Sequence, residues 1–106
     1  MKVQYSKAFT KAVDRLNGKI HKSVISAIQE VKNADSINQI SACKKIESLD
    51  SVYRIRIGSL RAFFVLHIVI DGDVAKFEYL VSRGEAYDRK NMERLRLKDI
   101  PLTDKP

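Results

Sequence analysis

Five side chains in the middle and toward the end of the chain are of types that handle a phosphate. Arg54 and Arg56 share one face of the alternating run Tyr53-Arg54-Ile55-Arg56-Ile57, because every second residue of a strand points the same way. Beyond a Gly58-Ser59 turn, Arg61 opens a second run in which Arg61, Phe63, Val65 and His67 share parity. Arg83 ends a later run, and Tyr87 lies one helical turn past it. A guanidinium group is planar and always charged, and its fork of donors matches two oxygens of one anion. Arginine rather than lysine at three nearby strand positions therefore suits bidentate anion recognition. The alternative is a solvated sheet face whose arginines only keep a basic protein in solution, with Tyr87 a half-buried aromatic.

Bulk composition agrees with an anionic partner without choosing one. Twenty Lys and Arg against thirteen Asp and Glu give a net charge of +7, and the isoelectric point is near 9.7. Such a balance favours nucleic acid, an anionic membrane surface or an acidic protein. The longest apolar run, Ala62 to Ile70, is interrupted by His67 and falls short of spanning length, so no membrane-spanning segment is expected, and no membrane is expected as a partner. Met1 to Tyr5 has no signal-type stretch, and the single Cys43 has no internal disulfide partner; both features suit the reducing cytoplasm. The sequence has no glycine-rich phosphate loop, no paired cysteines and no His-x-x-x-His spacing, so neither a metal nor a cofactor is expected. Lys44 and Lys45 beside Cys43 could lower its pKa. Without a histidine partner, a small half-buried thiol is the better reading. His21 reads as a surface residue.

The elements that must position these side chains follow from periodicity and caps. Lys2 to Tyr5 reads as a short edge or first strand, with Val3 and Tyr5 on one face. Ser6 is a good N-cap for a helix carrying Ala8, Phe9, Ala12, Val13 and Leu16 at helical spacing, and Asn17-Gly18 closes it. A second helix carries Ile20, Val24, Ala27, Ile28 and Val31 on one stripe, completing a helical hairpin whose apolar faces need a sheet. Cys43 to Leu49 is a weak strand, Val52 to Ile57 a strong one, and Leu60 to Ile70 a long one. Asp71-Gly72-Asp73 predicts a tight hairpin into a strand over Val74 to Val81. A charged helix is expected from Glu85 or Ala86 to about Leu97, resting lightly on the body because Met92 and Leu95 are its main apolar positions, with a loose tail over 98–106. The 106 residues are expected to form one domain, 1–106, of α+β class: an N-terminal helical hairpin packed on an antiparallel β-sheet, with a short C-terminal helix.

Two stretches in this order resemble the RelE/ParE superfamily of bacterial toxin–antitoxin toxins. The first is Lys44-Lys45-Ile46 followed by Tyr53-Arg54-Ile55-Arg56-Ile57-Gly58 and Leu60-Arg61. The second, Val81-Ser82-Arg83-Gly84-Glu85-Ala86-Tyr87, is similar to the family's C-terminal His-Arg-x-x-x-Tyr signature. The resemblance implies a toxin, and in the RelE-like branch an endoribonuclease that cuts messenger RNA in the ribosomal A site without a metal. It implies catalytic roles for Arg61 on the phosphate, Arg83 beside it and Tyr87 on a base or the attacking hydroxyl. Arg54, Arg56, Lys44 and Lys45 would bind RNA. It also implies an acidic cognate antitoxin, contact with messenger and ribosomal RNA, and a toxin–antitoxin complex on promoter DNA.

Two departures bear on the chemistry. Ser82 stands where many relatives carry histidine, and arginines at 54 and 56 stay charged and accept protons poorly. The proton acceptor is left open among Glu47, Tyr87 and His67. A ParE-like gyrase inhibitor on the same fold, or an inactive relative, is the competing reading, because fold alone does not separate them.

Overall fold

The computed structural model describes residues 1–101. Strand β1 (Lys2–Tyr5) leads into helices α1 (Lys7–Asp14) and α2 (Gly18–Asn33). A 3-10 turn at Ile37–Gln39 returns the chain to β2 (Cys43–Lys45), β3 (Val52–Ile57), β4 (Leu60–His67) and β5 (Val74–Ser82). Helix α3 (Arg89–Lys98) follows. The sheet runs β1-β5-β4-β3-β2. Strands β2 to β5 form the expected antiparallel meander, and β1 joins its edge parallel to β5, from Lys2↔Val74 to Tyr5↔Phe77. The sheet is therefore mixed.

The α+β layering follows from the apolar stripes. Ser6 Oγ accepts from Phe9 N at 3.0 Å and donates to the Glu78 carbonyl at 2.6 Å, so one hydroxyl both caps α1 and ties it to β5. Phe9 and Val13 of α1 and Val24, Ile28 and Val31 of α2 are buried against Ile55, Ile57, Ala62, Phe64, Ala75 and Phe77 of the sheet. Phe9, Phe77 and Phe64 stand in a row, with ring centroids 5.0 and 5.3 Å apart. Each buried phenylalanine stabilises the fold by about 1.5–3 kcal/mol.

On the opposite face a second cluster gathers Ile46, Leu49, Val52, Phe63, Val65, Ala86 and Leu95. A register shift between Phe63 and Phe64 makes Glu78 the extra residue of β5, since Phe63 pairs with Tyr79 and Phe64 with Phe77. Glu78 is buried, with Lys76 Nζ at 3.6 Å and Lys98 Nζ at 3.9 Å.

Helix α3 is anchored, contrary to the light docking expected. Leu95 is fully buried, and the Arg94 guanidinium lies 3.9 Å from the centre of the Tyr79 ring. Asp99 accepts from Asp50 N, Ser51 N and Ser51 Oγ at 2.7–3.1 Å, while Ile100 N donates to Ser51 Oγ at 2.7 Å. Of the loose tail expected over 98–106, Lys98 still belongs to α3 and Asp99 and Ile100 are tethered, while 102–106 lie outside the described residues. The helix starts at Arg89 rather than near Glu85, because Asp88 is the N-cap and accepts from Asn91 N at 2.8 Å. Strand β4 stops at His67: Val69 N turns to Asp73 Oδ1 and Gly72 N to Val69 O, which opens a wider loop than a tight hairpin. The weak strand expected to Leu49 keeps only Cys43–Lys45. Among the described residues no helix is long and apolar enough to cross a membrane.

Candidate RNA-phosphate site

Register brings the predicted side chains together. Lys44 pairs with Arg54, Arg54 with Phe63 and Phe63 with Tyr79, forming one row across the sheet. The next row is Arg56, Arg61 and Val81. Arg83 follows β5, its amide bonded to the Ser59 carbonyl at 2.9 Å, which holds it beside the β3–β4 turn. That turn depends on Gly58, whose φ of +57° is the left-handed region that favours glycine. Its carbonyl and that of Leu60 each accept from Arg61 Nη1 at 2.8 Å, so one edge of the guanidinium is fixed to the backbone.

The electrostatics are one-sided. Arg61 is pushed below the ordinary arginine pKa by partial desolvation first and then by Arg54, Arg56 and Arg83, with Tyr87 opposing. Those same four residues are the ones that share its field. Among the described residues, Arg54, Arg56, Arg61 and Arg83 have no carboxylate within ion-pair distance. A cluster of like charges without counter-charges raises the energy of the free protein, and an anion that enters relieves it.

Tyr87 is fixed although half exposed. Its hydroxyl accepts from Arg54 Nη1 at 3.2 Å, and its ring meets Phe63 edge to face with centroids 6.4 Å apart. Buried Ala86 on one side and the Asp88 cap on the other hold the intervening turn. Asn91, itself buried, donates to the Ala86 carbonyl at 2.6 Å and accepts from Arg94 Nε at 3.0 Å. Asn91 and Phe63, which support Tyr87 and the turn that carries it, were not singled out in the sequence for that role. The polar Asn91 among the apolar positions of a short helix was the available signal.

Not every predicted residue joins the cluster. Lys45 pairs with Tyr53, one residue out of phase with Lys44, and its ammonium donates to the Ile46 and Leu49 carbonyls, closing the loop after β2. Lys44 keeps its place beside Arg54. His67 lies six residues along β4 from Arg61, about 20 Å at ~3.3 Å per residue, too far to exchange a proton there. Burial pushes the Cys43 thiol up to about 11 despite nearby Arg54, so the adjoining lysines do not activate it. Ser82 is exposed and donates to Glu85 Oε1 at 3.2 Å. Beside Tyr87 opens a cleft of about 680 Å³ walled by Lys44, Ile46, Glu47, Ser48 and Met92, with Lys45 at its edge.

No protein-family model matches the chain. A curated relative, Toxin RelE3 of Methanocaldococcus jannaschii, is 34% identical over 89 residues, which cover 83% of this chain and 97% of that protein. A chain in the crystal structure of the RelB–RelE antitoxin–toxin complex from Methanococcus jannaschii superposes with a TM-score of 0.62 at 28% identity, covering 80% of this chain and 95% of that one. A chain of the archaeal RelE–RelB complex from Pyrococcus horikoshii OT3 shares the fold, with a TM-score of 0.63 at 21% identity over 80% of this chain and 97% of that one. The likeness thus extends beyond the bacterial toxins. With 34% identity sustained along nearly the whole of a RelE toxin, the chain belongs to the RelE toxin family.

Proposed function

We propose that the protein is the toxin of a type II toxin–antitoxin pair and a ribosome-dependent endoribonuclease that cuts messenger RNA in the A site and so halts translation. The observation that carries this reading is the gathering of Arg54, Arg56, Arg61, Arg83 and Tyr87 about one sheet face, with no carboxylate ion-paired to these arginines among the described residues. In RNA cleavage the ribose 2′-hydroxyl gives up its proton as its oxygen attacks the adjacent phosphorus, and the bond to the 5′-oxygen breaks as that oxygen takes up a proton, leaving a 2′,3′-cyclic phosphate and a 5′-hydroxyl. Charge accumulates on the non-bridging oxygens as the attacking bond forms. Arg61, held on one edge by Gly58 and Leu60, turns its remaining donors toward that charge. Arg83 and Arg56 flank it, and Tyr87 stacks on a base or orients the 2′-hydroxyl. Permanently charged arginines stabilise the transition state and do not accept the proton. The site therefore relies on electrostatic stabilisation and positioning.

RNA backbone contacts fall to Arg54, Arg56 and Lys44, with Lys45 in a supporting place at the cleft edge. An acidic antitoxin suits the uncompensated face, and the pair would act on promoter DNA as a complex. The cytoplasm, where messenger and ribosome meet, is the compartment this activity requires. The test is induction of the wild type, Arg61→Ala and Arg83→Ala in cells, with mapping of RNA 5′ ends. New ends within translated codons are expected from the wild type and a loss of at least about a hundredfold from either variant. Intact messages with accumulating gyrase–DNA cleavage complexes would overturn the nuclease reading in favour of a gyrase inhibitor.

A further inference from the structure

The cleft beside Tyr87 differs in character from the arginine rows. It is lined by buried Ile46, half-buried Met92 and Tyr87, and its one carboxylate is Glu47. Glu47 is exposed, and among the described residues it makes neither a hydrogen bond nor an ion pair, although Lys44 and Lys45 line the same cleft. An unpaired carboxylate repels phosphate. It accepts hydrogen bonds and donates none. Apolar Ile46 and Met92, the aromatic Tyr87 and one acceptor-only carboxylate suit a nucleobase that carries N–H donors, while Lys44 is left for phosphate. The arginine rows alongside are left for the backbone. Arg54 joins the two regions, lying between Lys44 and Phe63 in register and donating to Tyr87.

Resting on the ribonuclease reading above, we infer that this cleft seats one base of the RNA and that Glu47 selects guanine there. Guanine presents two adjacent donors, N1–H and the N2 amine, which one carboxylate takes up together. Adenine and cytosine each offer one amine beside a ring-nitrogen acceptor that a carboxylate repels. Uracil offers one N–H between two carbonyl oxygens. Ser48, which also lines the cleft, adds a hydroxyl that both donates and accepts, within the same loop closed by Lys45. Glu47 is thus a specificity residue and takes no part in proton transfer at Arg61.

The experiment measures fluorescence anisotropy of short single-stranded oligoribonucleotides that differ at one position, guanosine, adenosine, cytidine, uridine or inosine, against the wild type and Glu47→Ala. The wild type should prefer guanosine over the other three standard bases by about fivefold or more. Inosine, lacking the N2 amine, should fall between. Glu47→Ala should bring all five within about twofold while keeping most of the backbone affinity. A wild type that binds all bases alike, or a Glu47→Ala variant that keeps the guanosine preference, overturns the inference. Cleavage maps in cells separate the two readings: new 5′ ends with one base composition in the wild type and Glu47→Ala overturn the guanine cleft alone. A wild type without new ends refutes the nuclease, while the anisotropy still judges the cleft.

Discussion

Arg56→Gln should make the protein more stable and a poorer RNA binder at once. Arg56 lies directly opposite Arg61 on neighbouring antiparallel strands. It is exposed, and its side chain has no hydrogen bond or ion pair among the described residues. Its backbone bond to the Ala42 carbonyl, 3.1 Å, is indifferent to the side chain. Glutamine therefore removes a like-charge cross-strand pair and breaks no contact. Such pairs cost about 0.2–1 kcal/mol. For a domain of this size, half a kcal/mol raises the melting temperature by about 2–4 °C. Because the effect is electrostatic, it should be largest at low salt and vanish near 1 M, where the screening length is about 3 Å. Thermal melts at both ionic strengths measure it. In parallel, the salt dependence of binding to a single-stranded oligoribonucleotide should lose about 0.7 from its logarithmic slope, one phosphate contact. A variant that melts at or below the wild type in low salt would refute the view that these guanidinium groups are held together against their repulsion.

The other predictions concern the supports of the site. Burial raises the Asp99 pKa, but hydrogen bonds from Asp50, Ser51 and Ile100 outweigh it and hold the carboxyl below the usual range. Its stabilisation is complete above the ordinary carboxylate pKa and drains away as pH falls through the lower folded value. Asp99→Asn should cost about 1.5–3 kcal/mol at neutral pH and flatten the acid limb of stability in urea melts taken across pH. Leu95→Ala opens a void under α3 and should cost about 2–5 kcal/mol, read by denaturation. Truncation before Ala86 would uncover Phe63 and Val65 and should give an unfolded chain, detectable by circular dichroism. Cys43, its thiol raised from 9.0 to about 11, should react with iodoacetamide near pH 8 about a hundredfold more slowly than an unperturbed thiol, because only thiolate attacks.

What could be read in the sequence was what rests on neighbours in the chain. The Arg54–Ile55–Arg56–Ile57 alternation gave both the strand and its charged face, and the Ser6 cap and the stripe of α2 gave the hairpin. Features that depend on distant partners left no local trace. Nothing in Lys2–Tyr5 says that its partner is β5 or that the pairing is parallel. The bulge at Glu78 interrupts a regular-looking run without a glycine or proline to mark it. The anchoring of α3 comes through Asp99, a residue that a helix C-terminus disfavours electrostatically and whose reason for being there is Ser51, far away in sequence. Of the residues proposed for the site, Arg54, Arg56, Arg61, Arg83 and Tyr87 could be grouped from the sequence and do lie near one another, whereas Lys45 points elsewhere because one step along a strand reverses the face.

The parallel pairing of β1 with β5 also sets an order of events during synthesis. Lys2 through Tyr5 cannot find their ladder partners until Val74 through Phe77 have been made, and closing so long a loop carries an entropy cost that only the finished sheet offsets. Arg83 and Tyr87 are translated later still. For a protein proposed to attack the translating ribosome, an incomplete chain carries neither the closed sheet nor the full set of arginines. The four residues of β1 thus act as a latch that shuts only after β5 has been made.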